Sequence, residues 1–419
     1  MARRADRFAE VERADPTMAF VHLVAACAWM ATLSIGRAPE GIAFGILMAV
    51  AAVRVPKTAR LYPQLVGCSA LVLLVAFAEW QGLSSLWSSA PRLGARDYLP
   101  RYVFIPLALW PVMHRWPTAI AAFAIPAAVH GAAIAIAGFA RHGWNPGVHN
   151  GLATNEIGMT GHAFAIAVAV LAGAAGPRSI AGWMTRIASI AAIATGVLSM
   201  GQRTPILAAT AGAGTSLAMR WRGALCTTRG RIRVAVAVAC IALLGVGFLG
   251  ASHQNRAWIR GLARLTDPTT GSPTDSALWD ATSARLPLYR VALDIWGDHP
   301  VIGAGARGFA IGNAERAESR PGDFGVPHAA APDFAKLTCA HNGFLDEAAE
   351  RGIVGVALLA ALVGSCWLGA LRLDAWPGTA GMIAAWSVAS ITQPVTVRGV
   401  PMMILAIIVT RVCAVERET

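Results

Sequence analysis

Two arginines and one histidine stand out by type and setting. Arg203 lies in SMGQRTPILAA, between two apolar stretches. Its guanidinium is a planar fork of donors that stays charged and fits phosphate oxygens. Pro205 suits the first turn of a following helix and would fix that geometry. Position alone leaves a second reading open, an interfacial arginine snorkelling to lipid headgroups. Arg285 opens the run RLPLYRVALDIWG, and Arg290 follows within it. Both read either as anion-binding groups or as solvated loop charges. His341 sits in CAHNGFLDEAAERGIVG. A neutral imidazole there is a candidate base, because it accepts a proton near neutral pH; the alternative is a capping or packing histidine. Asp346, Glu347 and Glu350 are the reserve bases, or else cap and surface charges.

Other residues are candidates for holding a sugar. Glu79 and Glu156 flank apolar stretches, where each either binds a sugar hydroxyl or marks an interface. Trp80, Trp87 and Trp144 suit an interfacial aromatic belt, and an aromatic face also stacks on sugars. No metal site is expected. His299, His328 and His341 lack ligand spacing, and Cys339 adds one soft ligand at most. The seven cysteines form no zinc pattern and imply no outer disulfide. The run GAGARGF lacks the lysine and serine of a phosphate-binding loop. Its glycines are expected to allow a sharp turn and close backbone packing.

The elements that must position these groups are membrane helices. The 419 residues are 56% hydrophobic and 14% charged, where soluble domains carry about 25% charge. The 42 glycines and 23 prolines are tolerated in membrane helices. A net charge of +12 raises the question of nucleic acid. The arginines are spread between apolar stretches, however, so no nucleic-acid partner is expected. Apolar segments fall at roughly 18–35, 40–54, 63–80, 99–114, 117–138, 156–173, 183–199, 204–219, 233–250, 352–371, 378–392 and 397–414, the second being short for a full crossing. With the N-terminus inside, the inner segments hold 17 basic residues. The short outer loops hold 5, namely Arg37, Arg92, Arg96, Arg141 and Arg203. That bias fits the positive-inside rule. The charged start MARRADRFAEVERADP precedes an apolar stretch without a cleavage site, which reads as an uncleaved first helix.

The expected fold is therefore an all-α polytopic membrane protein. About 12 transmembrane helices carry one long, partly helical loop on the outer face. The division is a cytoplasmic segment at 1–17, helices 1–9 at 18–250, the loop at 251–351, helices 10–12 at 352–414 and a cytoplasmic tail at 415–419. Within the loop, Leu288, Val291, Ala292 and Ile295 recur at helical spacing. Residues 314–336, with Pro321, Pro327 and Pro332, read as irregular. Asn342 is placed to cap a helix whose first turn holds Asp346 and Glu347.

These same motifs resemble those of the O-antigen ligase and Wzy-type polymerase superfamily of bacterial membrane glycosyltransferases. LSSLWSS at 83–89 resembles that family's outer segment after an early span. SMGQRTP resembles its T/S-G-x-R segment, which places Arg203 on its first functional arginine. The stretch from Ser283 to Phe309 resembles its second arginine region and the P-x-x-G-x-G-x-x-x-F turn, with Arg285 on the functional position. AHNGFLDEAAERGIVG resembles H-x-H-N-x-x-L-x-x-x-x-E-x-G-x-x-G, with His341 and Asn342 on the histidine–asparagine pair and Glu350 on the acidic position. Cys339 stands where the family has an earlier histidine.

The resemblance implies a donor glycan on undecaprenyl diphosphate. The acceptor it implies is lipid A–core for a ligase, or a lipid-linked repeat for a polymerase. It implies no cofactor and a bacterial inner-membrane location, with both termini cytoplasmic and the active site periplasmic. Arg203, Arg285 and His341 would be catalytic. Arg203, Arg285, Arg290, Asn342, Glu350, Glu156 and Trp87 would bind substrate. A twelve-span transporter or lipid flippase is the competing class. Such proteins need ionisable groups near the bilayer midplane, whereas here the candidates collect at the outer boundary. A non-catalytic scaffold is the third reading.

Overall fold

The computed structural model describes residues 2–92, 101–142, 157–174, 179–200, 203–222, 284–372, 377–393 and 400–416, with scattered positions between 227 and 282. Among these residues all the regular structure is helical, with no strand. In order, α1 is Ala2–Ala14, α2 Pro16–Thr32, α3 Arg37–Thr58, α4 Tyr62–Val66, α5 Ser69–Leu83 and α6 Arg101–Leu109. Then come α7 Trp116–His142, α8 Ile157–Gly173, α9 Ile180–Ser199 and α10 Arg203–Arg220. After 284 follow α11 Arg285–Asp298, α12 Gly308–Ser319, α13 Ala331–Phe334, α14 Gly343–Arg372, α15 Pro377–Thr392 and α16 Val400–Glu416.

Five of the described helical stretches are long and apolar enough to cross a membrane, or six if the bent pair Arg7–Ala14 and Pro16–Thr32 is one span. The segment expected at 40–54 extends further than its apolar run, because α3 covers 22 residues. The apolar segment at 233–250 lies largely outside the described residues, as does Glu156.

Small residues explain the helix packing. A side chain at Gly196 of α9 would come within 2.6 Å of the Gly131 backbone in α7. One at Gly212 of α10 would meet Ala169 of α8 and the Gly381 backbone of α15. Ser216 of α10 donates to the Ala169 carbonyl at 2.7 Å, closing the same contact. Without water to squeeze out, membrane helices associate by such close van der Waals contact, and glycine lets backbones approach. A disulfide between Cys68 and Cys413 ties the start of α5 to α16 across 345 residues. Nothing in the cysteine spacing announces it.

The segment 284–342 builds a small unit with its own core. Leu288, Val291, Ala292 and Ile295 of α11 are all buried against Phe309, Phe324 and Phe334. Residues 314–336 are more ordered than their prolines suggest. Through Ser319 they continue α12, and Pro321–Phe324 and His328–Ala330 form short 3-10 turns. Arg316 binds Asp294 and Asp298 at 2.6 and 2.5 Å, which locks α12 onto α11.

That unit docks on α14. The Gly-rich turn lays its backbone along the helix: Ala304 and Gly305 donate to the carbonyls of Ala349 and Glu350 at 2.9 and 2.8 Å. Gly303 and Gly352 both adopt positive φ. A Cβ on Gly303 would fall on the Glu350–Arg351 peptide, and one on Gly352 on the Val301 carbonyl. Glycine is required here for conformation and for space. Gly352 also kinks α14, so the helix starts at Gly343 and changes course near the predicted start of the tenth span.

Candidate functional site

Three separate parts of the chain converge where α10, α11 and α14 begin. Arg203 is the first residue of α10 and Arg285 the first of α11. Their charges lie within electrostatic reach of each other, and Arg285 also acts on His341. All three side chains are partly accessible. Two guanidiniums within reach of each other offer a planar set of donors of the kind that matches phosphate oxygens.

His341 is held by its neighbours in the chain. Its φ of 56° lies in the left-handed region, uncommon for a residue with a Cβ and enriched at functional sites. Directly after it, Asn342 caps α14 as expected: its side-chain oxygen accepts from Phe344 and Leu345 amides at 3.0 and 3.2 Å. Asp346 accepts from the Ala340 amide at 2.6 Å. The loop on both sides of His341 is thereby pinned to the first turn of α14.

The histidine's ring contact was not foreseen from the motifs. His341 Nδ1 lies 3.4 Å from Gln393 Oε1, just beyond the end of α15. An amide oxygen only accepts, so Nδ1 carries the proton and Nε2 keeps its lone pair. Burial holds the His341 pKa below its ordinary 6.5; the Gln393 bond opposes that, and the like charge of Arg285 adds to it. The imidazole is therefore neutral at neutral pH, the state a base requires. The signal for Gln393 was visible as a polar residue before Pro394 between two apolar segments.

The remaining candidates separate by position. Arg290 is exposed and donates to the Phe324 carbonyl at 3.4 Å, a contact inside the loop unit. Glu350 is buried beneath the Gly-rich turn, 3.3 Å from Arg351. Its side chain accepts a hydrogen bond from the Arg307 backbone amide, at the end of that turn. Trp87 packs on Trp80, ring centroids 5.4 Å apart. The surrounding LSSLWSS segment braces the turn: Ser84 accepts from the Ala306 amide, and Ser88 donates to the Ala306 carbonyl at 2.5 Å. Glu79 is exposed. Cys339 is half-buried, and its thiol pKa is pushed up to about 12 by burial and then by Asp346. It stays a thiol.

A second network, also missed from sequence, supports α14 from behind. Glu347 takes hydrogen bonds from Gln81 at 3.2 Å and Arg351 at 2.8 Å. Tyr102 of α6 donates to the oxygen of Gln81, and Trp80 to the Arg351 carbonyl at 3.3 Å. These bonds clamp α5, α6 and α14 together. Among the described residues, no three of His, Cys, Asp and Glu converge as metal ligands.

The site thus sets two cations within reach of each other and one of them within reach of a neutral imidazole. Residues 187–360 match the model of a family described as O-antigen ligase. That stretch holds Arg203, Arg285, His341, Asn342 and Glu350, and ends before Gln393. The match supports the superfamily indicated by the motifs, one of ligase- or polymerase-type glycosyltransferases. No curated protein matches the chain.

Proposed function

We propose, from the O-antigen ligase and Wzy-type superfamily to which residues 187–360 point, that this protein transfers a glycan from undecaprenyl diphosphate to a hydroxyl acceptor. The observation that carries the reading is the convergence of Arg203, Arg285 and His341 from three separate stretches of chain. In this reading about twelve helices span a bacterial inner membrane, both termini are cytoplasmic, and the 251–351 loop lies in the periplasm. The length of α10 suits that layout. Its 18 residues rise about 27 Å, close to the thickness of a bilayer core, with Arg203 at one end and Arg220 at the other.

The acceptor hydroxyl oxygen attacks the anomeric carbon. The bond from that carbon to the diphosphate oxygen breaks, and its electron pair leaves with the lipid diphosphate. Arg203 and Arg285 stabilise the charge gathering on those oxygens. The hydroxyl proton passes to Nε2 of His341. A single displacement inverts the anomeric carbon. The two guanidiniums supply the positive field, so the reaction as proposed takes no metal.

Lipid A–core is the acceptor we favour, which makes the protein an O-antigen ligase; a lipid-linked repeat as acceptor would make it a polymerase. A deletion strain read on gels of its surface glycan separates them. Unattached lipid-linked polymer is expected for a ligase, and single repeats attached without a ladder for a polymerase. The chemistry itself is tested with purified protein, donor and acceptor. Arg203→Ala, Arg285→Ala and His341→Ala are expected to insert normally and to form no product. Wild-type product from all three would reject the site.

A further inference from the structure

An apolar cavity of about 610 Å³ lies away from this site, between α8, α9 and α10. That falls within the ~300–1,000 Å³ of sites for small apolar ligands. It exists because α9 and α10, though consecutive, diverge. α9 packs on α7 through Gly131 and Gly196, while α10 packs on α8 and α15 through Gly212 and Gly381. Leu171, Ile190, Ala194, Ile206, Ala209 and Leu217 line the resulting groove.

One end of the groove is different. Arg186 and Arg220 line it there, and both donate to the same carbonyl, that of Ala174. That shared carbonyl brings the two cations together at one end of the groove. Trp183 and Trp221 stand at the same end, half-exposed, and Arg186 lies 5.2 Å over the Trp183 ring. Tryptophan and arginine together mark the headgroup level of a bilayer. Arg220 closes α10, so this end is opposite Arg203 and the proposed transfer site.

We propose that the groove binds an anionic phospholipid of the leaflet opposite the transfer site, its phosphate between Arg186 and Arg220 and one acyl chain along α9 and α10. Charge complementarity selects the occupant. A zwitterionic lipid carries its own cation to the same place, and two arginines disfavour that. The proposal needs only that the helices span a membrane, so it stands or falls separately from the transfer reaction.

The test is native mass spectrometry of the full-length protein in detergent, with phosphatidylglycerol or phosphatidylcholine added. Wild type is expected to retain phosphatidylglycerol over phosphatidylcholine. Each arginine near anionic lipid contributes about 1 kcal/mol, so Arg186→Gln with Arg220→Gln should cut that retention about tenfold or more. The Arg186→Lys with Arg220→Lys variant keeps the charge and should keep the preference, which controls for misfolding. Ala194→Phe with Ala209→Phe fills the groove, leaves both arginines, and should also lose the lipid. Equal retention of the two lipids, or retention unchanged in either the glutamine or the phenylalanine variant, overturns the proposal. Displacement of phosphatidylglycerol by undecaprenyl phosphate at equal concentration, dependent on both arginines, overturns it in favour of a polyprenyl lipid.

Discussion

His341 Nδ1 faces Gln393 Oε1 at 3.4 Å, a contact between residues 52 apart that couples the loop ahead of α14 to the end of α15. It fixes which ring nitrogen holds the proton and so which can accept one. Gln393→Ala should leave insertion intact and lower kcat roughly tenfold to a hundredfold, the scale of a general base that is present but badly oriented. Gln393→Glu should raise the histidine's pKa, because a carboxylate stabilises the imidazolium. The two variants are to be compared by pH–rate profiles; an unchanged profile in Gln393→Glu would remove Gln393 from the mechanism.

The pH dependence follows from His341 itself. Burial and Arg285 both disfavour the imidazolium, so the group titrates below 6.5 in the folded protein. Transfer should be flat around neutral pH and fall on the acid side, with its midpoint below 6.5. Arg285→Gln removes the like charge and should shift the His341 titration upward, read from the ring resonances by NMR and not from turnover. Stability carries the same sign. The unfolded chain takes up the proton first, so the contribution of neutral His341 is whole above its unfolded value and is lost as pH falls through the folded one. Thermal melts between pH 5 and 7.5 would register this.

The docking of the Gly-rich turn depends on two glycines that no other residue replaces. Gly303→Ala and Gly352→Ala each place a methyl on a backbone atom at positive φ. Each should cost about 1–3 kcal/mol or more and should abolish transfer by undocking the loop. Gly297→Ala and Gly322→Ala meet nothing within 4 Å and serve as controls. In a thermal-shift series the first pair should fall and the second hold.

How much of this was legible depended on whether a residue's partner lay nearby in sequence. The buried face of α11 was readable because Leu288, Val291, Ala292 and Ile295 repeat at helical spacing. Asn342 was readable as a cap because its targets are two and three residues on. α12 was hidden, since of its buried positions only Phe309 is large and apolar, while Gly308, Gly312, Asn313 and Ala317 are too small or polar to show a period. Asn313 is buried because it donates to the carbonyls of Phe334 and Leu337, which only the folded loop supplies. The bonds from Trp80 and Gln81 to Arg351 and Glu347 were hidden for the same reason, as they cross from α5 to α14.

The thiol of Cys339 should be inert. With its pKa near 12 it carries almost no thiolate at neutral pH, and the thiolate is the reactive form. Cys339→Ser is expected to keep transfer activity, and iodoacetamide at pH 7.5 should leave this cysteine unlabelled in the folded protein. Loss of activity with normal insertion would show that this position, a histidine in the family resembled, does chemistry here.

The clamp behind α14 should behave as a buried ion pair. The side chains of Arg351 and Glu347 are 5% and 0% exposed, so neither is solvated alone. Removing one leaves the other uncompensated, at a cost of about 3–5 kcal/mol. Arg351→Met should therefore lower the melting temperature sharply. Adding Glu347→Leu removes one of the two acidic groups left without Arg351 and should recover part of that loss, although Glu350 still lacks its partner and Gln81 then lacks its acceptor. The double variant should still transfer more slowly than wild type, because Tyr102 and Gln81 no longer brace the helix that carries His341 at its start. Melting temperature and kcat measured on both variants separate the two effects: recovered stability together with full wild-type turnover would mean that the clamp stabilises the fold without positioning the site.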